Sequence, residues 1–381
     1  MLKDFCSYTI SAMKIFHCDH CGHLLFFENT ECVSCGRRVA YLPDLRLAGS
    51  LDPIGTDTWR SPLAGAAEGG YRLCQNYKIE AVCNWAVPAA DDNPLCVSCR
   101  TTRVIPNLAD PAHRAVWYRL EVAKRRLLFT LIELGLPMPN RIDDPERGLT
   151  FDFLADADPG GPPVLTGHAG GVITVNIAEA DDVERERRRT AMREPYRTLL
   201  GHMRHESGHY YWDIVIGGTA ELDGFRSLFG DERADYAASL SAYYENGAAA
   251  DWQEHFVSAY ATSHPWEDWA ETWAQYLHMV DTLETAAACG LSLKPRRRDE
   301  PAAPTMPEPV SAHPAAFQDL IDSWFPLTYV LNNLNRGLGH ADAYPFVLSP
   351  AAVAKLRFVD EVVGRAKVGG AGRPAPEKVD A

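Results

Sequence analysis

Apolar residues recur at helical spacing along three stretches of the chain. After Asp110-Pro111, the residues Val116, Leu120, Ala123, Leu127, Leu128 and Leu131 share one face as far as Gly135. That pattern predicts an amphipathic helix with proline at its entry and glycine at its exit. Pro195 opens a second helix, YRTLLGHMRHESGHYYWDIVI, which stops at Gly217-Gly218. A third begins at Pro265, carries Glu267 and Asp268 in its first turn and runs to Gly290. Within it Trp269, Trp273, Tyr276, Val280 and Leu283 form a stripe that reads as core. Alternation replaces the helical period in GVITVNI, residues 171–177, which is β-branched, follows Gly170-Gly171 and reads as an edge strand. A helical stretch is also predicted near 350–364.

Polar and turn-rich segments divide these elements. Residues 49–70, rich in Gly, Pro and Ser, read as a linker or loop, and 294–314 as a flexible linker. The charged run EADDVERERRRTAMRE reads as a solvated helix or loop, and the tail from about 368 as disordered. The organisation expected is therefore a cysteine-rich region over 14–48 and 49–108, a larger helical region over 109–293, and a C-terminal helical part over 315–367. Met13 is taken as the native start, with 1–13 an extension.

At 381 residues, and about 150 per domain, two or three domains are expected. Lys and Arg number 37 against 51 Asp and Glu, so the net charge of -14 argues against a nucleic-acid-binding surface over the whole chain. No stretch approaches the roughly 20 apolar residues of a membrane span, and the amino end lacks the apolar core of an export signal. A cytoplasmic location is the resulting expectation, with no membrane partner.

In a reducing compartment ten cysteines point to metal rather than disulfides. Cys18 and Cys21 flank two residues, as do Cys32 and Cys35, and Gly22 and Gly36 follow directly. Two such tight turns let four thiolates meet one tetrahedral zinc while backbone N–H groups point at sulfur. His17, His20 and His23 are read as exposed. Cys74, Cys83, Cys96 and Cys99 form a second set, of which the last two have the same spacing, and a second structural zinc is expected there. Crossed pairing between the two sets stays open. Cys6 and Cys289 are given no role.

The second predicted helix contains His205-Glu206-Ser207-Gly208-His209. Residues i and i+4 share a helix face, so two imidazoles converge on one metal while the glutamate between them meets a water. A third ligand has to come from elsewhere, leaving one position open. Glu271 in WEDWAETWAQYLH is the choice, on the face opposite the aromatic stripe. Glu267, one turn earlier on that face, competes with it, followed by His264 and Asp213. In this scheme zinc held by His205, His209 and Glu271 lowers the pKa of a water toward about 7. Glu206 takes the proton during attack on a carbonyl and passes it to the leaving amine. An oxyanion donor is needed too, and Tyr210, Tyr211, Tyr236, Tyr243, Tyr244, Tyr260, His264 and His278 are all candidates. An extended peptide is expected to add to the 171–177 strand. His202 reads as a neighbour of the site rather than a ligand.

The segments HCDHCGHLLFFENTECVSCG, CNW, LCVSC, LLGHMRHESGHYYWD, HPWEDWAETWAQYLHMVDTLETA and LNRGLGHADAYPFVLSP resemble a family of bacterial zinc-binding metallopeptidases with an amino-terminal zinc ribbon. The resemblance covers most of residues 14–363. It implies an α+β, mostly helical chain: a zinc ribbon, then a zincin-like metallopeptidase domain with a small sheet, hydrolysing a peptide or protein substrate. AETWAQY is similar to the aminopeptidase-type stretch of glutamate-ligand zincins, which implies Glu271 as third ligand. Two departures stand out. Sixty-one residues separate His209 from Glu271, against roughly 20 in that group, so 218–264 is read as an inserted subdomain. Four residues after Glu271, where thermolysin-like members carry an Asp, stands Gln275. Two other readings compete: a non-catalytic module binding a protein or nucleic acid, with a structural metal at the histidines, and a zinc hydrolase of non-peptide amides.

Overall fold

The computed structural model describes residues 15–156, 164–192, 197–311 and 313–368. The expected extension up to Met13, Cys6, the Pro195 helix entry and the tail beyond 368 lie outside these residues.

Short antiparallel strands build the cysteine-rich half. A hairpin of β1 (Phe16–His17) and β2 (Leu24–Leu25) carries the first knuckle. A five-stranded sheet follows in sequential order: β3 (Arg38–Leu42), β4 (Leu47–Pro53), β5 (Trp59–Arg60), β6 (Tyr71–Leu73) and β7 (Ala86–Pro88). The stretch from residue 49, expected as a linker, thus begins inside a sheet, with β4 paired to β3 from Arg38↔Leu51 to Leu42↔Leu47. Its glycine serves packing rather than flexibility. A Cβ on Gly49 would meet the Leu63 and Leu42 side chains at 2.9 and 3.1 Å.

The second half grows directly from the first. Helix α1 (Gln75–Lys78) follows Cys74, and the turn at Cys99 runs straight into β8 (Thr102–Val104). Helix α2 (Pro111–Glu133) is capped by Asp110, whose carboxylate accepts the Ala112 N–H at 2.9 Å. Its apolar face is buried as its period predicts, and Phe129 packs edge-on against Phe16, Phe27 and Tyr41 of the cysteine-rich half. One continuous hydrophobic core therefore crosses residue 108.

The other strands form a four-stranded sheet of order β10-β11-β9-β8, with β9 at Thr150–Leu154, β10 at Gly167–Ala169 and β11 at Val172–Asn176. Strands β8, β9 and β11 are parallel, whereas β10 is antiparallel to β11. The expected edge strand at 171–177 is β11, an interior strand. The edge is β10, and Gly170-Gly171, both at positive φ (54° and 79°), is the turn of the hairpin joining them.

The charged run folds as helix α3 (Asp182–Met192), and α4 (Leu199–Tyr211) starts where the Thr198 hydroxyl accepts the Gly201 N–H at 3.0 Å. A π-turn over Trp212–Ile216 ends it at Gly217. Helices α5 (Leu222–Phe229) and α6 (Tyr236–Asn246) and a 3-10 turn at Tyr260–Thr262 occupy the stretch before α7 (Pro265–Ala288). The segment from 294, expected as a flexible linker, is anchored by a Leu293–Ala303 bridge and by buried Ala303, Met306 and Val310. Helices α8 (Phe317–Gly337) and α9 (Pro350–Val368) complete the chain. Among the described residues no helix is long and apolar enough to cross a membrane.

Candidate metal centres and active site

Helices α4 and α7 cross at the two middle residues of the HExxH segment, and residue size sets how closely. A Cβ on Gly208 would lie 2.8 Å from the Ala270 Cα and 3.3 Å from its Cβ. Glycine facing alanine lets the backbones touch. The crossing is pinned by the Trp269 indole donating to the Gly208 carbonyl at 2.8 Å and the Trp273 indole donating to Ser207 Oγ at 3.1 Å. The aromatic stripe of α7 is buried core, as its spacing predicts.

This approach carries the carboxylates of α7 to the imidazoles of α4. His205 Nε2 and His209 Nε2 stand 3.2 Å apart, and Glu267 Oε2 lies 3.0 Å from the first and 3.5 Å from the second. These three residues offer donor atoms all within 4.8 Å of one another. Glu271, the third donor expected from sequence, does not join them. One helical turn, about 5.4 Å, further along α7, its Oε1 accepts a hydrogen bond from His205 Nδ1 at 2.7 Å. The carboxylate that closes on both Nε2 atoms is thus that of Glu267, because the first turn of α7 rather than the second lies level with the gap between them.

The donor chemistry fits a zinc ion. With its Nδ1 proton given to Glu271, His205 presents the Nε2 lone pair to the cluster. Glu267 Oε1 accepts from the Tyr236 hydroxyl at 2.7 Å, while its Oε2 is buried, without a hydrogen-bond partner, and aimed at both imidazoles. A cation would satisfy that oxygen. Electrostatics point the same way: burial opposes ionisation of Glu267, yet His209 and His205 hold its carboxyl well below the usual range. Burial likewise opposes charge on His205, but Glu267 and Glu271 together outweigh it and raise its pKa, so a zinc ion there competes with a proton for Nε2.

Glu206 lines a cavity of about 340 Å³ with His205, His209 and Glu267; Asp213, Tyr236, Tyr260 and the β10 segment from Thr166 to Gly170 form its other walls. Burial lowers the pKa of His168 on β10 to about 4, keeping that imidazole neutral. Burial and the nearby Glu267 raise the Tyr236 and Tyr260 hydroxyls above their usual range. Of the other expected candidates, Tyr210 and Tyr211 are core, His264 caps α7 by accepting the Trp266 N–H, and His278 meets Arg204. His202 stands beside the site, its Nε2 3.6 Å from Glu206 and its Nδ1 3.6 Å from buried Glu179.

Two four-cysteine clusters assemble as the spacing implies and without crossing: Cys18, Cys21, Cys32 and Cys35 in one, Cys74, Cys83, Cys96 and Cys99 in the other. Sulfur pairs Cys18–Cys35, Cys21–Cys32 and Cys83–Cys96 lie 3.7, 3.6 and 3.7 Å apart. Tetrahedral ligands about 2.3 Å from zinc would be ~3.8 Å apart. In the first cluster the Cys35 N–H draws the Cys32 thiol down to about 7. In the second, the N–H groups of Trp85, Cys96 and Cys99 each meet a sulfur at 3.4 Å. His17, His20 and His23 are exposed, as read from sequence.

Comparison with known proteins meets this geometry. Residues 113–362 match the model of a family described as "Putative zinc-binding metallo-peptidase", and residues 15–110 match a zinc-ribbon domain. The chain belongs to this metallopeptidase family. Relatives from Mycobacterium bovis and Mycobacterium tuberculosis, each described only as an uncharacterized protein, are 45% identical over 352 residues, covering 92% of this chain and 95% of theirs. No solved structure matches the chain. Family membership joins zinc to the donors already described, and the α+β architecture with an N-terminal ribbon agrees with the sequence reading.

Three features of the site had weak sequence signals. Strand β10 is only three residues long, though the Gly-Gly pair before a β-branched run marks a hairpin. Tyr236 and Glu179 lie far from the motif in sequence, and no spacing rule connects them to it.

Proposed function

We propose that the protein is a zinc-dependent peptidase whose ion is held by His205, His209 and Glu267, with Glu206 as general base and Glu271 orienting His205. The observation that carries this reading is the convergence of three donors from two crossing helices on one wall of a cavity that Glu206 also lines. A zinc ion there would supply Lewis acidity, depressing the pKa of a water in the cavity and polarising the scissile carbonyl. Glu206 accepts the proton of the attacking water and returns it to the leaving nitrogen. The Tyr236 hydroxyl and the Glu271 carboxylate keep Glu267 and His205 in place for that work.

Strand β10, paired on one side by β11 and bordering the cavity, supports an extended polypeptide as substrate in preference to a small amide, since its outer edge offers main-chain hydrogen bonds. The two four-cysteine clusters take one structural zinc each, giving three ions per chain. The protein works in the cytoplasm.

Metal analysis and hydrolysis of a mixed peptide library test the reading together. Wild type should hold three zinc equivalents, Cys18→Ser and His205→Ala should each lose a different one, and Glu206→Gln should keep all three while losing hydrolysis. Full activity in Glu206→Gln, or a wild type that keeps its zinc and cleaves nothing, would overturn it.

A further inference from the structure

We infer that Tyr260 is the catalytic hydrogen-bond donor to the substrate carbonyl oxygen as negative charge develops on it; the inference rests on the peptidase reading above. Such a donor has to face the reacting centre, carry a proton and be uncommitted before substrate arrives. Tyr260 meets each condition. The 3-10 turn Tyr260–Thr262 packs against α7 and sets its ring 6.0 Å, centroid to centroid, from that of His205. The ring is held from behind by Tyr243 at 5.7 Å. Tyr260 lines the cavity, and its hydroxyl has no hydrogen-bond partner among the described residues.

The neighbouring donors are engaged or sealed off. The Tyr236 hydroxyl is given to Glu267. The indole nitrogens of Trp212 and Trp266 are buried away from solvent although their rings help line the cavity. His168 accepts the Gly171 N–H on Nε2 at 3.2 Å and packs edge-on against Tyr210, which makes it the nearest rival. The stretch between the motif and α7, longer than the motif alone demands, thus gains a chemical purpose: it delivers a hydroxyl to the cavity.

The test uses zinc-loaded full-length protein and two probes read by calorimetry. One is a peptide phosphonate, which presents a tetrahedral anionic oxygen to an oxyanion donor. The other is a peptide thiol, which engages a metal without such an oxygen. Tyr260→Phe should keep its zinc content and its thiol affinity but bind the phosphonate on the order of 100-fold more weakly, with kcat falling by a similar factor and KM little changed. Unchanged phosphonate affinity, an equal loss for both probes, or a selective loss in His168→Gln instead would overturn the assignment. A zinc-loaded wild type that binds neither probe would sink the peptidase reading itself, a distinguishable result.

Discussion

The four-cysteine cluster at Cys74, Cys83, Cys96 and Cys99 and the cluster of His205, His209 and Glu267 both gather metal donors, yet they are built oppositely. All four thiols are buried, three backbone N–H groups meet sulfur, and Arg125 is buried within reach of their charge. Burial disfavours the Arg125 cation, but Cys83, Glu121, Cys99 and Cys96 more than offset that cost. Four donors with a counter-charge would complete the shell of a tetrahedral ion. The histidine cluster supplies three donors and faces a cavity instead of a fourth ligand, so an ion there keeps a position for chemistry. Donor count and exposure separate holding a fold from using a metal, even where residue type alone suggests zinc in both places.

The sharpest break of that contrast is Cys96→Ser. Losing a donor leaves Arg125 buried without its full counter-charge, and a loss of about 3–5 kcal/mol is expected, measured by denaturant unfolding. His205→Ala should retain the fold while losing one zinc. Equal destabilisation by both would erase the distinction.

Next come the two α7 glutamates. Glu267→Gln should empty the histidine site of zinc and abolish hydrolysis, whereas Glu271→Gln should keep the ion with affinity or activity lowered about 10- to 100-fold. Metal titration compares them, and the reverse ranking would restore Glu271 as a ligand. Gly208→Ala probes the helix crossing. The added methyl must displace Ala270 backbone, so about 1–3 kcal/mol of stability should be lost, along with zinc at the histidines but not at the cysteines.

The smallest effect tests how the two halves are joined. Burial, helped by Glu284, pushes Glu133 up to about 7 from 4.5 in the same core that buries Tyr41. The folded state therefore binds its proton more tightly, so this contribution is fully present below pH 4.5 and lost as pH rises through 7. Glu133→Gln should flatten that slope and stabilise the protein at pH 8 by about 1 kcal/mol, because the buried amide still bears the cost of desolvating its own polar atoms. An unchanged pH profile of unfolding would contradict it.

Helix boundaries were legible because their causes are local. Asp110-Pro111, Pro265 and the exit glycines act within a turn or two, and the aromatic stripe of α7 follows from period alone. Segments 49–70 and 294–314 are mostly loop, in keeping with their composition, but their packing was not legible because Gly and Pro content reports backbone preference and not what a neighbour packs against it. Gly49 under Leu63 and buried Met306 and Val310 are facts of partners distant in sequence.

By itself the sequence determined the two cysteine sets, the His205–Glu206–His209 face and the helix that carries Glu267 and Glu271, since knuckle spacing, the i, i+4 rule and helical period are properties of the local chain. Only the tertiary structure set Glu267 rather than Glu271 against both Nε2 atoms, made β10 the edge in place of β11, and brought Tyr260 to the cavity. Glu267 and Glu271 share one helix face and are indistinguishable along the chain. Where α7 crosses α4, fixed by Gly208 against Ala270, determines which carboxylate reaches the Nε2 atoms and which is left to orient an imidazole.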